Sequence, residues 1–521
     1  MARALDFSST LTTQVVIGGR NLSLEDVEAV ARRNTHVQLA ETAISQIEAA
    51  RAVVDGIVAA AQPAYGVTTG FGSFSDQSIP PDQTRQLQAN LLRSHAAGVG
   101  HPLPAEVVRA ATLLRAHSLA LGYSGVRPVL IETLLTLLNA GIHPVVPALG
   151  SLGASGDLAP LAHLALPLLG LGSVEFGGEM RPAEEALRQA GLAPIELEPK
   201  EALALINGTQ VMAALGTLAL LDAERLVQSA ISVAALSLCA LAARRAPFDE
   251  RLHRARPHPG QEAVAEHLRT LLAPVPEPAP LGGRIQDPYS IRCVPQVYGA
   301  IHDALRPLRA TLEIEVNAAT DNPLVFAEDA SVISGGNFHG HPLALGLDAV
   351  KIAVASLGAF VERRVALLVD GAVRGLPPRL VREPGINSGY MIAHYLTASL
   401  VAQNRVLAHP SSVDSIPTSA GVEDYNSMGA TSALHIRQVV SNVESIVAVE
   451  ALCAAQACDL AGRVPPGPLG DLHGRIRARI PILERDDRVI ANDITAAVTL
   501  LREGELIAQM PDRGDGVSDG R

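Results

Sequence analysis

Pro147-Ala-Leu-Gly-Ser-Leu-Gly-Ala-Ser-Gly-Asp-Leu-Ala-Pro160 is the stretch on which the reading of this chain turns. Gly150, Gly153 and Gly156 alternate with small residues between two apolar segments. Glycine tolerates backbone conformations that a Cβ forbids. Ala154-Ser155-Gly156 carries no bulky side chain, so the Gly156 nitrogen can approach the carbonyl carbon of Ala154, two residues back. Taken alone, this is a loop feeding a helix capped by Ser155 or Asp157. What sets it apart lies elsewhere in the chain.

The 521 residues are 48% hydrophobic but only 3% aromatic, with no Trp. Such an Ala/Leu/Val-rich composition suits close helix–helix packing rather than a β-sandwich. A formal net charge of −12 argues against a nucleic-acid partner, which demands a basic surface. Cys239, Cys293, Cys453 and Cys458 form no CxxC pair, and three of them lie in apolar helical patterns. Reduced thiols in a cytoplasmic protein are the expectation. The first ten residues lack the apolar core of a signal peptide. The apolar run from Val227 to Ala243 falls short of a membrane span and reads as a buried bundle helix.

In chain order, Val15–Gly19 reads as a short strand, and Ser23 caps a helix from Leu24 with Glu25 and Asp26 in its first turn. Helices are expected over residues 38–61, 81–97, 104–121 and 127–140, and a hairpin over 173–180. The composition shift at Pro194–Lys200 divides an N-terminal domain, 1–196, from a long-helix bundle with C-terminal helices, 197–521. A helix of about 35 residues, 209–244, would span roughly 50 Å. It is apolar nearly all round, which implies burial among other helices. A Pro/Gly-rich linker follows at 274–283. Helices come next at 295–316, 342–370, 390–407, 427–460 and 493–503, with a β-ribbon after 325. The tail from Asp512 is polar, Gly-rich and expected to be disordered. The fold class is mainly α with a few short strands.

Six further segments carry residues that bundle packing does not require. Ala64-Tyr65-Gly-Val-Thr-Thr-Gly-Phe-Gly72 is a Gly-rich loop holding one tyrosine; no Walker lysine follows it. The 81–97 helix sets His95 on the face of Leu87, Leu91 and Leu92. Alone, such a histidine is usually a satisfied core residue. Asn207-Gly208, in Lys200-Glu-Ala-Leu-Ala-Leu-Ile-Asn-Gly-Thr-Gln210, breaks one helix and opens the next, as a C-cap does. Gln286, Tyr289 and Arg292 recur at every third position, and the arginine's planar fork suits a carboxylate. Ser334-Gly-Gly-Asn-Phe338-His339 is a loop with an aromatic anchor. Glu423 lies in the segment Ser412–Met428, where an acid is by default solvated or at a helix start.

Together these motifs resemble the aromatic amino acid ammonia-lyase family, and most closely its histidine ammonia-lyase branch. They run from residue 65 to 423 and so cover most of the chain. The resemblance implies that Ala154-Ser155-Gly156 cyclises and loses water to form 4-methylidene-imidazole-5-one, with Asp157 assisting. It implies that Tyr65 is the catalytic tyrosine and that Asn207 lies beside the prosthetic group and the substrate carboxylate. Arg292 clamps that carboxylate with Tyr289 and Asn207; Phe338 and Gln286 shape the pocket. Ser94-His95 and Glu423 stand where phenylalanine and tyrosine lyases carry other residues, Gln in the case of Glu423, and so mark an imidazole substrate. Thr68-Thr69, Val422 and Tyr425 depart from the histidine pattern, the threonines toward the phenylalanine and tyrosine pattern. The family also implies an all-helical homotetramer whose active sites are shared by three subunits, acting on a small amino acid.

Elimination of an α-amino group meets two obstacles: ammonia leaves poorly, and the β-proton is barely acidic. An electrophile that captures the amine answers the first, and none of the twenty side chains is one. A placed base answers the second. Tyr65 is the first candidate and Glu423 its rival. No metal-ligand spacing is present among the sixteen histidines. The expected reaction is conversion of L-histidine to trans-urocanate. A phenylalanine or tyrosine lyase or aminomutase, and a non-catalytic helical scaffold, are the alternatives.

Overall fold

In the computed structural model, which describes residues 14–277, 285–371 and 375–509, the chain is mainly α-helical. The first half sets short strands among helices. Strand β1 (Gln14–Ile17) precedes α1 (Leu24–Arg33), and β2 (His36–Leu39) precedes α2 (Glu41–Ala59). Ser23 and Asp26 form a reciprocal capping box at α1, which satisfies two of the free N–H groups at its start. Next come α3 (Thr84–His95), β3 (Val99–Pro102), α4 (Ala105–Ala120), α5 (Pro128–Asn139), β4 (His143–Pro144) and β5 (Pro147–Leu149). Helix α6 (Leu158–Ala165), the hairpin β6 (Ser173–Phe176) and β7 (Glu179–Pro182), α7 (Ala183–Gln189) and α8 (Glu201–Ile206) follow.

The second half is built on long helices. They are α9 (Gln210–Ala240), α10 (Glu250–Arg254), α11 (Pro259–Leu272), the single turn α12 (Tyr289–Arg292) and α13 (Val294–Glu315). The ribbon β8 (Leu324–Phe326) and β9 (Ser331–Ile333) leads to α14 (His341–Asp370), α15 (Met391–Leu407), α16 (Gly429–Ala461), α17 (Pro468–Arg479) and α18 (Ile490–Arg502). Helix α16 packs along both α9 and α14. The core there is Leu, Val, Ile and Ala; small residues let the helix axes approach closely. Helices α9 and α14 are long and apolar enough to cross a membrane, yet 78% of the apolar window of α9 is buried inside the bundle and 50% of that of α14.

Several expectations shift. Gln38 and Leu39 belong to β2 rather than to the following helix, because Val15 and Val37 pair in a parallel two-strand sheet. A 3₁₀ turn, Pro81–Gln83, takes up the start of the 81–97 helix. Helix α9 ends at Ala240. Sequence reasoning passed over the pairing of β3 with β5 and helices α10, α11 and α17, although Val264, Leu268, Leu271 and Leu272 of α11 recur at helical spacing. Part of the 274–283 linker and the tail from Asp512 lie outside the described residues.

Candidate active site

The Ala154-Ser155-Gly156 stretch is a tight turn between β5 and α6. Gly153, Ser155 and Gly156 all have positive φ, at 76°, 50° and 81°. For serine this is a costly conformation, of order 1 kcal/mol or more. The surroundings hold it there. The Gly156 N–H points back to the Gly153 carbonyl at 3.4 Å, and the Asp157 N–H donates to the Gly208 carbonyl at 2.7 Å. A Cβ on Gly156 would collide with that same carbonyl. Glycine at 156 is therefore a demand of close backbone approach, whereas at 208 a Cβ would run into the Gln210, Arg115 and Thr320 side chains.

Asp157 is fully buried beneath the turn. Its carboxylate accepts from the Met212 N–H at 2.8 Å and from the Ser151 hydroxyl at 3.2 Å. Burial pushes its pKa up to about 7, against these hydrogen bonds and with a further push from Glu315. The Asn207-Gly208 step beside it is held from behind: Arg115, completely buried, donates to the Asn207 carbonyl at 2.8 Å. Asn207 itself donates to the Asn322 carbonyl at 2.9 Å, while its Oδ1 is buried and without a partner. A buried acceptor left open in this way is ready for a ligand donor.

Above the turn, the Ser155 hydroxyl donates to Glu423 Oε1 at 3.2 Å. Thr418 fixes the other oxygen, donating to Glu423 Oε2 at 2.9 Å, and its N–H bonds the Glu423 carbonyl. His95, the last residue of α3, is half-buried. Burial lowers its pKa, while its bond to the Leu91 carbonyl and the nearby charge of Glu423 partly restore it. The Tyr65 loop closes over the same segment: Gly72 donates its N–H to the Tyr65 hydroxyl at 3.3 Å, and the turn at 72–74 packs against the turn at 419–421. Thr68 and Thr69 are buried and stitch this loop internally, Thr68 to the Gln62 carbonyl and Ala64 N–H, Thr69 to the Gly66 N–H. They are spent on the loop.

The Phe338 loop is tied alongside. His339 bonds the Tyr425 carbonyl at 3.1 Å and its ring stacks on Tyr425. Phe338 is half-buried. Gln286, Tyr289 and Arg292 stand apart. Helix α12 packs on α13 and α14, and Tyr289 and Ser290 line a separate cavity of about 590 Å³ with Phe360 and His394. Arg292 stacks its guanidinium over the Tyr289 ring at 4.8 Å, and its Nε is buried without a partner. Among the described residues, no hydrogen bond, ion pair or ring contact joins these three to Ser155, Tyr65, His95 or Glu423. Nor does any group of three or more His, Cys, Asp or Glu residues there form a site for a metal ion.

Sequence reasoning passed over Ser151, Arg115, Met212 and Thr418. Each acts through a main-chain atom or on another side chain, so only its fold neighbours give it away.

Nearly the whole chain is similar to known proteins. Histidine ammonia-lyase of Symbiobacterium thermophilum is 50% identical over 495 residues, covering 94% of this chain and 97% of that protein. The crystal structure of histidine ammonia-lyase from Trypanosoma cruzi superposes with a TM-score of 0.87 at 41% identity, covering 95% of this chain and 94% of that one. Tyrosine aminomutase from Streptomyces globisporus gives a TM-score of 0.90 at 37% identity, covering 96% and 99%. With the aromatic amino acid lyase profile matching residues 22–480, the chain belongs to the aromatic amino acid lyase family.

Proposed function

We propose that this protein is a histidine ammonia-lyase, which removes the amino group and a β-proton from L-histidine to give trans-urocanate and ammonia. The observation that carries the reading is a carboxylate, Glu423, bonded to Ser155 and within electrostatic reach of His95. A carboxylate there suits a ring bearing N–H donors, which a phenyl ring does not offer. The two histidine ammonia-lyases named above support the same substrate.

The turn at residues 153–157 fits a prosthetic group built from the chain. Its nitrogen and carbonyls are folded back on each other, and Asp157 retains a proton near neutrality for use in dehydration. Cyclised with loss of two waters, Ala154-Ser155-Gly156 supplies as 4-methylidene-imidazole-5-one the electrophile that takes up the substrate amine. Asn207 offers its open Oδ1 as an acceptor for a substrate N–H, and the adjacent Gly208 carbonyl accepts the Asp157 N–H of the turn. His95 and Glu423 hold the imidazole. The Tyr65 phenolate, accepting the Gly72 N–H, takes the β-proton and becomes the phenol as the Cα–N bond breaks and the Cα=Cβ bond forms. Phe338 closes the pocket, together with Gln286 of a neighbouring subunit.

Tyr289 and Arg292 grip the substrate carboxylate in this reading, Arg292 through its fork and its unpaired Nε. Because α12 packs on α13 and α14 and, among the described residues, no hydrogen bond, ion pair or ring contact joins it to Ser155, we propose a homotetramer in which neighbouring subunits supply this clamp. Half of the apolar window of α14 is left unburied, and Leu345 and Ile352 on it are exposed, which suits burial between subunits. Four free cysteines suit a cytoplasmic setting.

The test follows ultraviolet absorbance of the conjugated acid product with L-histidine, L-phenylalanine and L-tyrosine in parallel. A rise with histidine alone supports the proposal. A rise with an aromatic amino acid instead overturns the substrate but keeps the chemistry.

A further inference from the structure

Helix α12 is only four residues long. One turn has no internal stability with which to hold two side chains in register. What fixes it is a polar knot beneath it, inside an otherwise apolar core. Arg364 on α14 is fully buried. Its Nε and Nη2 donate to the two oxygens of Glu450 on α16 at 2.6 and 2.9 Å, and Nη2 also bonds the Tyr298 hydroxyl on α13. Ser237 on α9 donates to the same Glu450 at 2.7 Å. The remaining arm, Nη1, donates to the Ser290 carbonyl at 3.1 Å. Ser290 lies directly after Tyr289 and two residues before Arg292.

A buried ion pair is poor value as pure stabilisation, since apolar residues of similar size serve as well. Its distinctive property is direction. The guanidinium is planar, so a fork locked on Glu450 fixes where Nη1 points. We infer that Arg364, locked by Glu450, is a positioning residue that holds Tyr289 and Arg292 in register to receive the substrate carboxylate. This inference rests on the carboxylate-clamp reading of those two residues.

The test compares full-length wild type with Arg364→Lys, which keeps the charge but loses the fork, and with Arg364→Met/Glu450→Leu, which removes both buried charges together. Arg292→Lys is the control for the clamp itself. Assembly size and a mass loss of roughly 36 Da from the gene-encoded value report folding and turn chemistry independently of the clamp. Two competitive probes are then used: imidazolepropionate, which carries a carboxylate, and imidazole, which does not.

Both Arg364 variants should raise the histidine KM and the imidazolepropionate inhibition constant about tenfold or more, with kcat changed less and imidazole unchanged. An unchanged imidazolepropionate constant in an assembled variant, or an equal rise for both probes, overturns the inference. If Arg292→Lys leaves the imidazolepropionate constant unchanged, the clamp reading falls and this inference falls with it. If Arg292→Lys raises it and the Arg364 variants do not, only the inference about Arg364 falls.

Discussion

Ser155 and Glu423, 268 positions apart, meet in a hydrogen bond of 3.2 Å, and that bond joins the turn at 153–157 to the loop proposed to recognise the substrate ring. One end is the hydroxyl that the proposed electrophile would lose as water. The other is the carboxylate proposed to distinguish an imidazole substrate. Substituting each end separates the two functions.

Ser155→Ala removes the hydroxyl and leaves a residue of lower volume in a half-buried turn. The variant should retain its gene-encoded mass and assemble normally. Turnover should drop on the order of 10³-fold or more, as when a nucleophile–base set loses a member. Turnover near wild type in a sample of unprocessed mass would eliminate the prosthetic-group reading.

Glu423→Gln preserves shape and removes charge. Loss of a charge-assisted hydrogen bond costs about 1.5–3 kcal/mol, so kcat/KM for histidine should decrease roughly 10- to 100-fold. The effect on phenylalanine or tyrosine should be smaller. An equal loss on all three substrates would show that Glu423 does not select the ring.

Asp157 makes folding depend on pH. Its folded pKa is about 7 because of burial, whereas an unfolded aspartate titrates near pH 4. The folded chain thus binds this proton more tightly. Its contribution to stability is complete below about pH 4 and is lost as pH rises through about 7. Across that window, wild type should lose about 4 kcal/mol relative to Asp157→Asn in denaturant unfolding at equal subunit concentration. Parallel stability curves for the two proteins would refute it.

Lys200 and Asp321 form a fully buried pair at 2.5 Å behind Asn207. Lys200→Met strands the carboxylate and should destabilise by about 3–5 kcal/mol. Lys200→Met/Asp321→Leu should recover most of that loss. A single variant as stable as wild type, read by thermal unfolding, would show that Asp321 finds another partner or is protonated.

The long helices were legible because their residues are apolar nearly all round: α14, expected at 342–370, runs His341–Asp370. The start of α2 was misread because Gln38 and Leu39 carry no local strand signal; their pairing partner lies in β1, more than twenty residues earlier. Of the site residues, Tyr65, His95, Asn207, Ser155 and Glu423 could be named from motifs. What motifs cannot convey is grouping. Nothing in Gln286-Asp-Pro-Tyr289-Ser-Ile-Arg292 says that α12 would lie apart from Ser155 of the same chain. Thr68 and Thr69 show the opposite failure: as a motif they pointed to the substrate, but their hydroxyls are engaged with the loop's own backbone.

The separation of α12 from Ser155 within one chain has a genetic corollary in the assembly proposed here. Two inactive variants, Ser155→Ala and Arg292→Met, carry their lesions on different parts of the subunit. In a mixed oligomer, an intact turn from one parent can face an intact clamp from the other. Co-expressed, the two should complement and regain part of the activity that neither homo-oligomer possesses.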